Sequence, residues 1–472
     1  MFFDTPEIGD DMAEAQQSRK SGKKRGTRIV LVIALVVALV VVLGVALFNP
    51  AYSYYRKGMG QCVQWSNSYK LAAAHLDTLI SEDTALVKQG EMSNKSRQST
   101  ISDSTFEQAR HVLATAQNQR DKVRTQESTN PVMNCTTRQL TPKLNAETKR
   151  EHEWVNTLQR QISELNKAFA PALVLKDADP AASRTAQSEL KSVTAGVAGF
   201  AKSQKVTIDS ATLAQLNKAI DQANDDVAKA ASYSVCKRDE DELYATADKA
   251  VAAHNKAKGI NCGTQRCVAL TFDDGPDPTL TPKLVIDLKS ANATATFFEM
   301  GQKVQADGGA LARQVTQAGF PVESHTWSHE DLPAIMQNHH EQQQINDTGN
   351  IIGSATGSPV NFVRPPHGAA DEASRTYIGE QTGAAIAMYG VDSYDWSNGA
   401  TSSSLTRKIM SQIEPGAIVL MHDIHPHTVA AVPGVISKLG KKGYRFVTIP
   451  ELTGEYPRAG AVYYSRDDIL RM

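Results

Sequence analysis

Two adjacent aspartates, Asp273 and Asp274, follow the apolar run CVALTF and precede a Gly-Pro turn. Neighbouring carboxylates repel each other, and successive side chains of a regular strand face opposite sides, so the pair indicates a strand end beside a positive charge. A metal ion would supply that charge, with one aspartate bound to it and the other free to act as a base. The spacing alone does not say which aspartate has which role, and a surface Asp-Asp-Gly-Pro turn is the alternative.

The histidines are clustered, since eight of the twelve lie between His325 and His427. Within ESHTWSHEDL, His325 and His329 are four residues apart, so one helical turn or a tight loop would direct both imidazoles to one point. A catalytic zinc ion takes three protein ligands and keeps a position for water, and two histidines with one aspartate satisfy that count. Without the aspartates, a pair of surface histidines would be the simpler interpretation.

Three further stretches offer groups for the same site. FVRPPHG ends a predicted strand with Arg364, and its two prolines stiffen the backbone, so the amide of His367 could be a fixed donor to an oxyanion. IVLMHDIHPHT places His422 at a strand end, where a neighbouring carboxylate would raise its pKa and keep it protonated as a general acid. GVDSYDW adds two carboxylates and an aromatic ring: Asp392, Asp395 and Trp396. Each stretch taken singly is more often structural, but together and in this order they predict one site.

The motifs TFDDGP, SHTWSH, RPPHG, DSYDW and LMH resemble the five ordered motifs of the polysaccharide deacetylases, the NodB homology domain of carbohydrate esterase family 4. The resemblance covers about residues 262–456 and does not extend to the preceding region. It implies an α/β fold, a distorted (β/α) barrel of about seven repeats, and metal-dependent hydrolysis of N-acetyl groups on sugars.

The resemblance also implies a role for each residue of these motifs. Three would bind Zn²⁺, or another divalent ion such as Co²⁺: Asp274, His325 and His329. Four would carry out or support proton transfer: the base Asp273, Arg364 that orients it, the acid His422, and Asp395 that tunes the acid. Three would surround the acetyl group: His367 through its amide at the oxyanion, and Trp396 and Leu420 beside the methyl. One departure concerns His367, because the family usually has a bulky aromatic residue there, which puts the substrate preference in doubt.

The N-terminal part predicts a membrane anchor. Residues 29–48, IVLVIALVVALVVVLGVALF, carry no charge and as a helix would span roughly 30 Å, the thickness of a bilayer core. Basic residues are concentrated before this run, so we expect residues 1–28 to be a cytoplasmic tail and everything after the run to lie outside the membrane. A cleaved secretory signal is the alternative.

Residues 57–258 are rich in Ala, Gln, Lys, Asp and Glu with helical periodicity, which predicts an all-α stalk. Short β-type runs then alternate with helical segments over 262–456, and 457–472 is expected to be a C-terminal tail. All five cysteines follow the apolar run, and Cys262 and Cys267 are close enough to predict a disulfide. The pairing of the other three remains open: Cys62, Cys135 and Cys236.

The sequence therefore predicts a zinc-dependent deacetylase held outside a cell membrane. We favour N-acetylglucosamine in the glycan strands of peptidoglycan as substrate, because a tethered enzyme with a stalk would work next to cell wall. The alternatives are chitin oligomers, poly-N-acetylglucosamine, acetylated xylan, or an inactive module that only binds wall. The stalk is expected to be a spacer, and binding to an envelope protein or self-association is the alternative. A formal charge of −1 gives no support to a nucleic-acid partner.

Overall fold

The computed structural model describes residues 69–85, 87–88, 103–129, 141–169, 173, 176–177, 179–204 and 206–471. Its N-terminal part is helical, as the composition predicts. The helices are α1 at residues 69–85, α2 (Asp103–Thr129), α3 (Thr141–Phe169), α4 (Pro180–Gln204), α5 (Ser210–Ala228) and α6 (Tyr233–Ala257).

An α/β region follows α6. Its strands are β1 (Arg266–Gly275), β2 (Ala295–Glu299), β3 (Val322–Ser324), β4 (Phe362–Val363), β5 (Ala385–Ala387), β6 (Val391–Asp392), β7 (Ala417–His422), β8 (Tyr444–Phe446), β9 (Val462–Tyr463) and β10 (Ile469–Leu470). Its helices are α7 (Leu280–Ser290), α8 (Gly301–Ala306), α9 (Ala310–Gln317), α10 (Leu332–Asn338), α11 (Thr348–Thr356), α12 (Glu372–Thr382), α13 (Ser402–Gln412), α14 (Pro426–Lys441) and α15 (Ile449–Thr453). A π-helical segment, Gln342–Asp347, runs into α11, and a short 3₁₀ turn spans Pro366–Gly368.

The strands form one sheet in the order β10-β9-β5-β4-β3-β2-β1-β7-β6, with β8 paired to the start of β1. All of these pairings are parallel except that of β9 with β10. Parallel strands need crossover connections, and the helices between them cover the sheet. The predicted α/β fold with a preceding helical region is confirmed, and the carboxyl ends of its parallel strands meet at one edge.

Strand β1 is buried on both faces and divides the core into two layers. Val268, Leu270 and Phe272 pack among residues of α7 and α14, whereas Ala269 faces the opposite layer. The alternation follows from the period of two in a strand. Thr271 and Asp273 therefore share the face of Ala269, which explains why Asp273 is directed away from the covering helices.

Part of the helical region packs directly against the α/β region. Helices α4, α5 and α6 form an apolar cluster that also contains Tyr456 and Ala459. The Tyr456 ring centre lies 5.8 Å from that of Phe200 in α4, and the backbone amide of Ala459 donates to the hydroxyl of Tyr244 in α6 at 2.9 Å. These helices therefore belong to the same compact unit as the sheet. The division at 57–258 and 262–456 remains a prediction.

The expected C-terminal tail needs correction, because residues 457–472 contain β9 and β10. Val462 of β9 pairs with Ile386 of β5, and β10 extends the sheet by one strand. Each of these strands is two residues long, which is too short to give a β pattern in the sequence.

The predicted single-pass membrane localisation is also corrected. Among the residues that the structure describes, none of the helices combines the length and apolar character needed to cross a membrane. The predicted span at 29–48 and the predicted cytoplasmic tail at 1–28 lie outside the described residues.

The structure contains the predicted disulfide between Cys262 and Cys267, in the loop that leads from α6 into β1. Cys236 is buried in α6 as a free thiol. Cys62 and Cys135 lie outside the described residues, so their pairing stays open.

Candidate metal centre

The backbone at the end of β1 turns the side chains of Asp273 and Asp274 to the same side. Asp273 remains in register with β7, but the ladder with β2 shifts between Asp273 and Gly275. Asp274 lies in the left-handed region, with φ of 69°. This conformation is uncommon for a residue with a side chain and is tolerated best by Asn and Asp. The local irregularity therefore overcomes the alternation that would separate the two carboxylates.

Asp274, His325 and His329 converge on one point. One ligand atom from each lies within 4.8 Å of the others. Asp274 Oδ1 is 3.3 Å from His325 Nε2 and 3.4 Å from His329 Nε2. His325 follows β3 directly, and His329 is brought back by a turn in which its own φ is 66°.

The tautomer of His325 follows from its second nitrogen. Its Nδ1 is 2.8 Å from the carbonyl oxygen of Arg364, which can only accept, so Nδ1 carries the hydrogen. In the neutral ring, Nε2 then presents a lone pair toward Asp274 Oδ1. That oxygen is buried and has no hydrogen-bond partner among the described residues. Two electron-rich atoms that face each other without a hydrogen between them indicate a site for a cation. The ligand set of two imidazole nitrogens and one carboxylate oxygen suits a divalent metal ion.

The surrounding charges also favour an anionic Asp274. Burial by itself raises the pKa of Asp274, but the adjacent His325, together with His422 and His329, outweighs burial and holds the pKa below its usual value. Burial lowers the pKa of His329, and the proximity of His325 adds to that effect. An anionic Asp274 and a neutral His329 are the protonation states in which these two groups bind metals.

Asp273 is held by a buried arginine. Arg364 Nη1 donates to Asp273 Oδ1 at 2.7 Å and to Thr271 Oγ1 at 2.6 Å. Its Nε and Nη2 donate to the carbonyl oxygens of Ala387 and Met388, each at 3.1 Å. Asp273 and Arg364 are 2% and 1% exposed, so a guanidinium that makes four hydrogen bonds fixes the carboxylate away from bulk water. The other oxygen, Oδ2, is 3.9 Å from His325 Nε2 and faces the candidate metal centre.

A second charged pair stands on the neighbouring strand. His422 Nδ1 is 2.7 Å from Asp395 Oδ1, and the backbone amide of His422 and the hydroxyl of Thr428 donate to Oδ2, each at 2.7 Å. Burial lowers the pKa of His422, but the hydrogen bond and charge of Asp395, aided by Asp273 and Asp274, raise it to about 9. His422 is therefore protonated at neutral pH.

The other predicted residues surround this centre. The His367 ring is exposed and stands edge-on to His329, with ring centres 4.6 Å apart, while its backbone has φ of 57°. Leu420 is buried in β7 as the register partner of Thr271. The Trp396 side chain is 54% exposed, and its Nε1 donates to Asp392 Oδ2 at 3.4 Å.

Several contributors were absent from the sequence interpretation. Thr271, Thr428 and His427 contact the charged pairs through hydroxyl or ring nitrogen atoms. Only Thr271 has a sequence signal, because it lies two residues before Asp273 and so on the same face of the strand. Asp392 was noted without a role, and in the structure it accepts from the backbone amide of Tyr394 as well as from Trp396.

The fold and the site define an α/β protein with a two-histidine, one-aspartate centre at the carboxyl edge of its sheet. The sequence profile described as polysaccharide deacetylase matches residues 260–386. A peptidoglycan-N-acetylglucosamine deacetylase of Bacillus cereus is 34% identical over 195 residues, which cover 40% of this chain and 88% of that protein. The chain therefore belongs to the polysaccharide deacetylase family.

Two longer relatives match the same part of the chain. The peptidoglycan-N-acetylglucosamine deacetylase PgdA of Listeria monocytogenes is 37% identical over 205 residues, covering 43% of this chain and 42% of that protein. The peptidoglycan-N-acetylmuramic acid deacetylase PdaC of Bacillus subtilis is 35% identical over 188 residues, covering 40% and 39%. The chain thus spans about two fifths of the length of these two relatives.

Proposed function

We propose that this protein removes N-acetyl groups from N-acetylglucosamine residues of peptidoglycan. The observation that carries the proposal is that two ion pairs flank the cluster of Asp274, His325 and His329, and that they present groups of opposite charge to it. In one pair a carboxylate, Asp273, faces the cluster, and in the other an imidazolium, His422, does so. Amide hydrolysis needs a base and an acid beside one reaction centre, and this arrangement provides both.

Asp274, His325 and His329 are the residues that would hold the metal. Their donor set fits Zn²⁺, and Co²⁺ is a second ion that such a set accepts. When bound there, Zn²⁺ would supply Lewis acidity to water and to the acetyl carbonyl.

The residues of the chain carry out the proton transfers. Asp273 takes a proton from the attacking water, and Arg364 keeps its carboxylate oriented. The oxygen of that water bonds to the acetyl carbon, and the bond between this carbon and the sugar nitrogen breaks. His422 gives its proton to the departing nitrogen, so the products are acetate and a free amine.

Three residues border the acetyl group in this proposal. The backbone amide of His367 donates to the carbonyl oxygen as negative charge develops there. Leu420 and Trp396 lie beside the methyl group. Asp395 holds His422 protonated and oriented, so its role is to position and tune the acid.

The substrate assignment rests on the family and on the names of the relatives. It does not draw on a membrane tether, because none of the helices among the described residues could cross a membrane. One relative is named for N-acetylmuramic acid rather than N-acetylglucosamine, so the test below distinguishes the two sugars.

The test is mass spectrometry of peptidoglycan fragments after incubation with the zinc-loaded protein, combined with an acetate assay. We expect fragments that lack one acetyl group on N-acetylglucosamine, and no such fragments with the Asp273→Asn variant. Loss of the acetyl group from N-acetylmuramic acid would overturn the sugar assignment. Acetate release from chitin oligomers, poly-N-acetylglucosamine or acetylated xylan, but not from peptidoglycan, would overturn the substrate. Wall binding without acetate release from any of them would indicate an inactive module.

A further inference from the structure

An open groove of about 880 Å³ lies between α13 and α14, outside the candidate metal centre. Its walls include short side chains such as Ser402 and Ser403 of α13 and Ala430 and Gly434 of α14. Because these side chains are small, the surface where the two helices meet is recessed and open to a polymer segment.

The groove carries a local excess of positive charge. Among the described residues, no acidic side chain lines it. Four cationic side chains do: Arg407, Lys438, Lys441 and Lys442. All four are exposed, and none has an ion-pair partner within the residues that the structure describes. The whole chain has a formal charge of only −1, so this excess belongs to the groove and not to the composition.

Helix electrostatics explain only part of this arrangement. Lys438 and Lys441 lie in the last turn of α14, where cations interact favourably with the free carbonyl groups. Arg407 is in the middle of α13, and Lys442 follows the end of α14. Cations from two separate elements therefore converge on one groove, which favours a common anionic ligand.

The groove is connected to the candidate active site. Ser402, the first residue of α13, donates to the carbonyl oxygen of His427 at 2.6 Å. His427 Nε2 in turn is 2.9 Å from the carbonyl oxygen of Asp395, whose carboxylate binds His422. With a rise of 1.5 Å per residue, α14 extends roughly 18 Å from Pro426 near the site to Lys438. The groove therefore leads away from the site over the length of several extended residues.

We propose that this groove binds a carboxylate-bearing peptide of the substrate. The peptide is attached to the glycan at a position next to the sugar whose acetyl group is removed. This inference rests on the proposed function, because peptidoglycan is the polysaccharide substrate whose sugars carry acidic peptides. Lysine and arginine side chains pair with carboxylates, and although one exposed pair is weak, several acting on the same ligand favour a peptide-bearing strand over a bare one.

The test compares a triple variant, Lys438→Gln with Lys441→Gln and Lys442→Gln, with the unmodified protein. The two ligands are a peptidoglycan fragment with its peptides and the same glycan after the peptides have been removed by an amidase. We expect Kd by calorimetry and KM for the peptide-bearing fragment to rise about tenfold, with kcat unchanged. Both constants for the peptide-free glycan should remain as they are.

Two matched variants serve as controls. Removing three exposed lysines elsewhere, by Lys218→Gln with Lys249→Gln and Lys289→Gln, should change neither constant. Replacing the three groove lysines by arginine should preserve the preference for the peptide-bearing fragment, because the charge is kept. Added NaCl should weaken the preference in the unmodified protein and have little effect in the glutamine variant.

The groove assignment is wrong if the glutamine variant binds both ligands as well as the unmodified protein does, or loses both equally. A phosphodiester polymer serves as a third ligand. The assignment is also wrong if the glutamine variant loses affinity only for that polymer, because the groove would then bind phosphate groups rather than carboxylates. The binding measurement decides this even without hydrolysis. Failure of the proposed function would be a separate result, namely no acetate from either ligand with the unmodified protein.

Discussion

Asp273 of β1 and His422 of β7 are direct register partners in adjacent parallel strands. Each has a buried partner of opposite charge on its far side, Arg364 for the carboxylate and Asp395 for the imidazole. The sheet therefore sets the base and the acid side by side at one edge, and their partners come from loops that follow other strands. The following predictions test this arrangement and its supports.

The two adjacent aspartates are expected to differ in their response to substitution. Asp274→Asn removes a charged ligand of the metal, so zinc affinity should fall by more than about 100-fold, and activity should partly return with excess zinc. Asp273→Asn removes the base and no ligand, so zinc content should be retained while turnover falls and added zinc does not help. Metal analysis and an acetate assay on both variants check this. The reverse pattern of metal loss would exchange the two roles.

The pH dependence of turnover should report His422. Because Asp395 and the neighbouring carboxylates raise the pKa of His422 to about 9, the acid is protonated at neutral pH and is lost as the pH rises through about 9. Asp395→Asn removes the main charge that raises this pKa, so the alkaline limb of the kcat profile should move to lower pH. His422→Ala should lower turnover by roughly 10²-fold or more with zinc still bound.

Asp392→Asn is the matched control for the pH experiment. Asp392 is a neighbouring carboxylate that makes no hydrogen bond to His422 and instead accepts from Tyr394 and Trp396. Its removal should shift the alkaline limb much less than Asp395→Asn does. Equal shifts would mean that the hydrogen bond between Asp395 and His422 does not control the acid.

Arg364→Met should destabilise the protein strongly. It leaves the Asp273 carboxylate buried without its partner and removes the donors to two backbone carbonyl groups, at a cost of about 3–5 kcal/mol in the free energy of unfolding. The double variant with Asp273→Asn no longer contains the unpaired charge, so it should recover part of that loss. Denaturant unfolding of the two single variants and the double variant measures this coupling. Additive losses would show that the pair is not energetically linked.

Contact between the helical region and the α/β region should depend on Gly383. This residue ends α12 with φ of 66°, and a Cβ atom there would lie 2.7 Å from the backbone nitrogen of Val193 in α4. Gly383→Ala should therefore combine backbone strain with a clash that displaces α4, giving a lower Tm and faster proteolysis of the helical region. Gly357→Ala is the control, because Gly357 ends α11 with φ of 72° and a Cβ atom added there would meet no atom within 4 Å. It should show only the strain, about 1 kcal/mol.

If both glycine variants lose the same stability, the close approach of α4 to α12 is not supported. A clearly larger drop in Tm for Gly383→Ala than for Gly357→Ala, with zinc binding retained, would show that the helical region is held to the α/β region through this contact.

The residue types available for chemistry, and their order along the chain, can be read directly from the sequence. Asp273, His325 and His422 each end or follow a predicted apolar strand, and parallel strands place such ends together. The alternation of strands and helices after residue 262 likewise predicted an α/β fold, because hydrophobic periodicity is a local property. The short loop between Cys262 and Cys267 was sufficient to predict their disulfide.

How these groups contact each other depends on the folded chain. The left-handed backbone of Asp274 reverses the side that alternation would give it, and the carbonyl group of Arg364 orients His325 from another strand. The two-residue strands β9 and β10, and the packing of α4 against α12, depend on contacts between residues far apart in the chain. Such contacts follow from how complete surfaces fit together, and a short stretch of sequence contains no periodic signal for them.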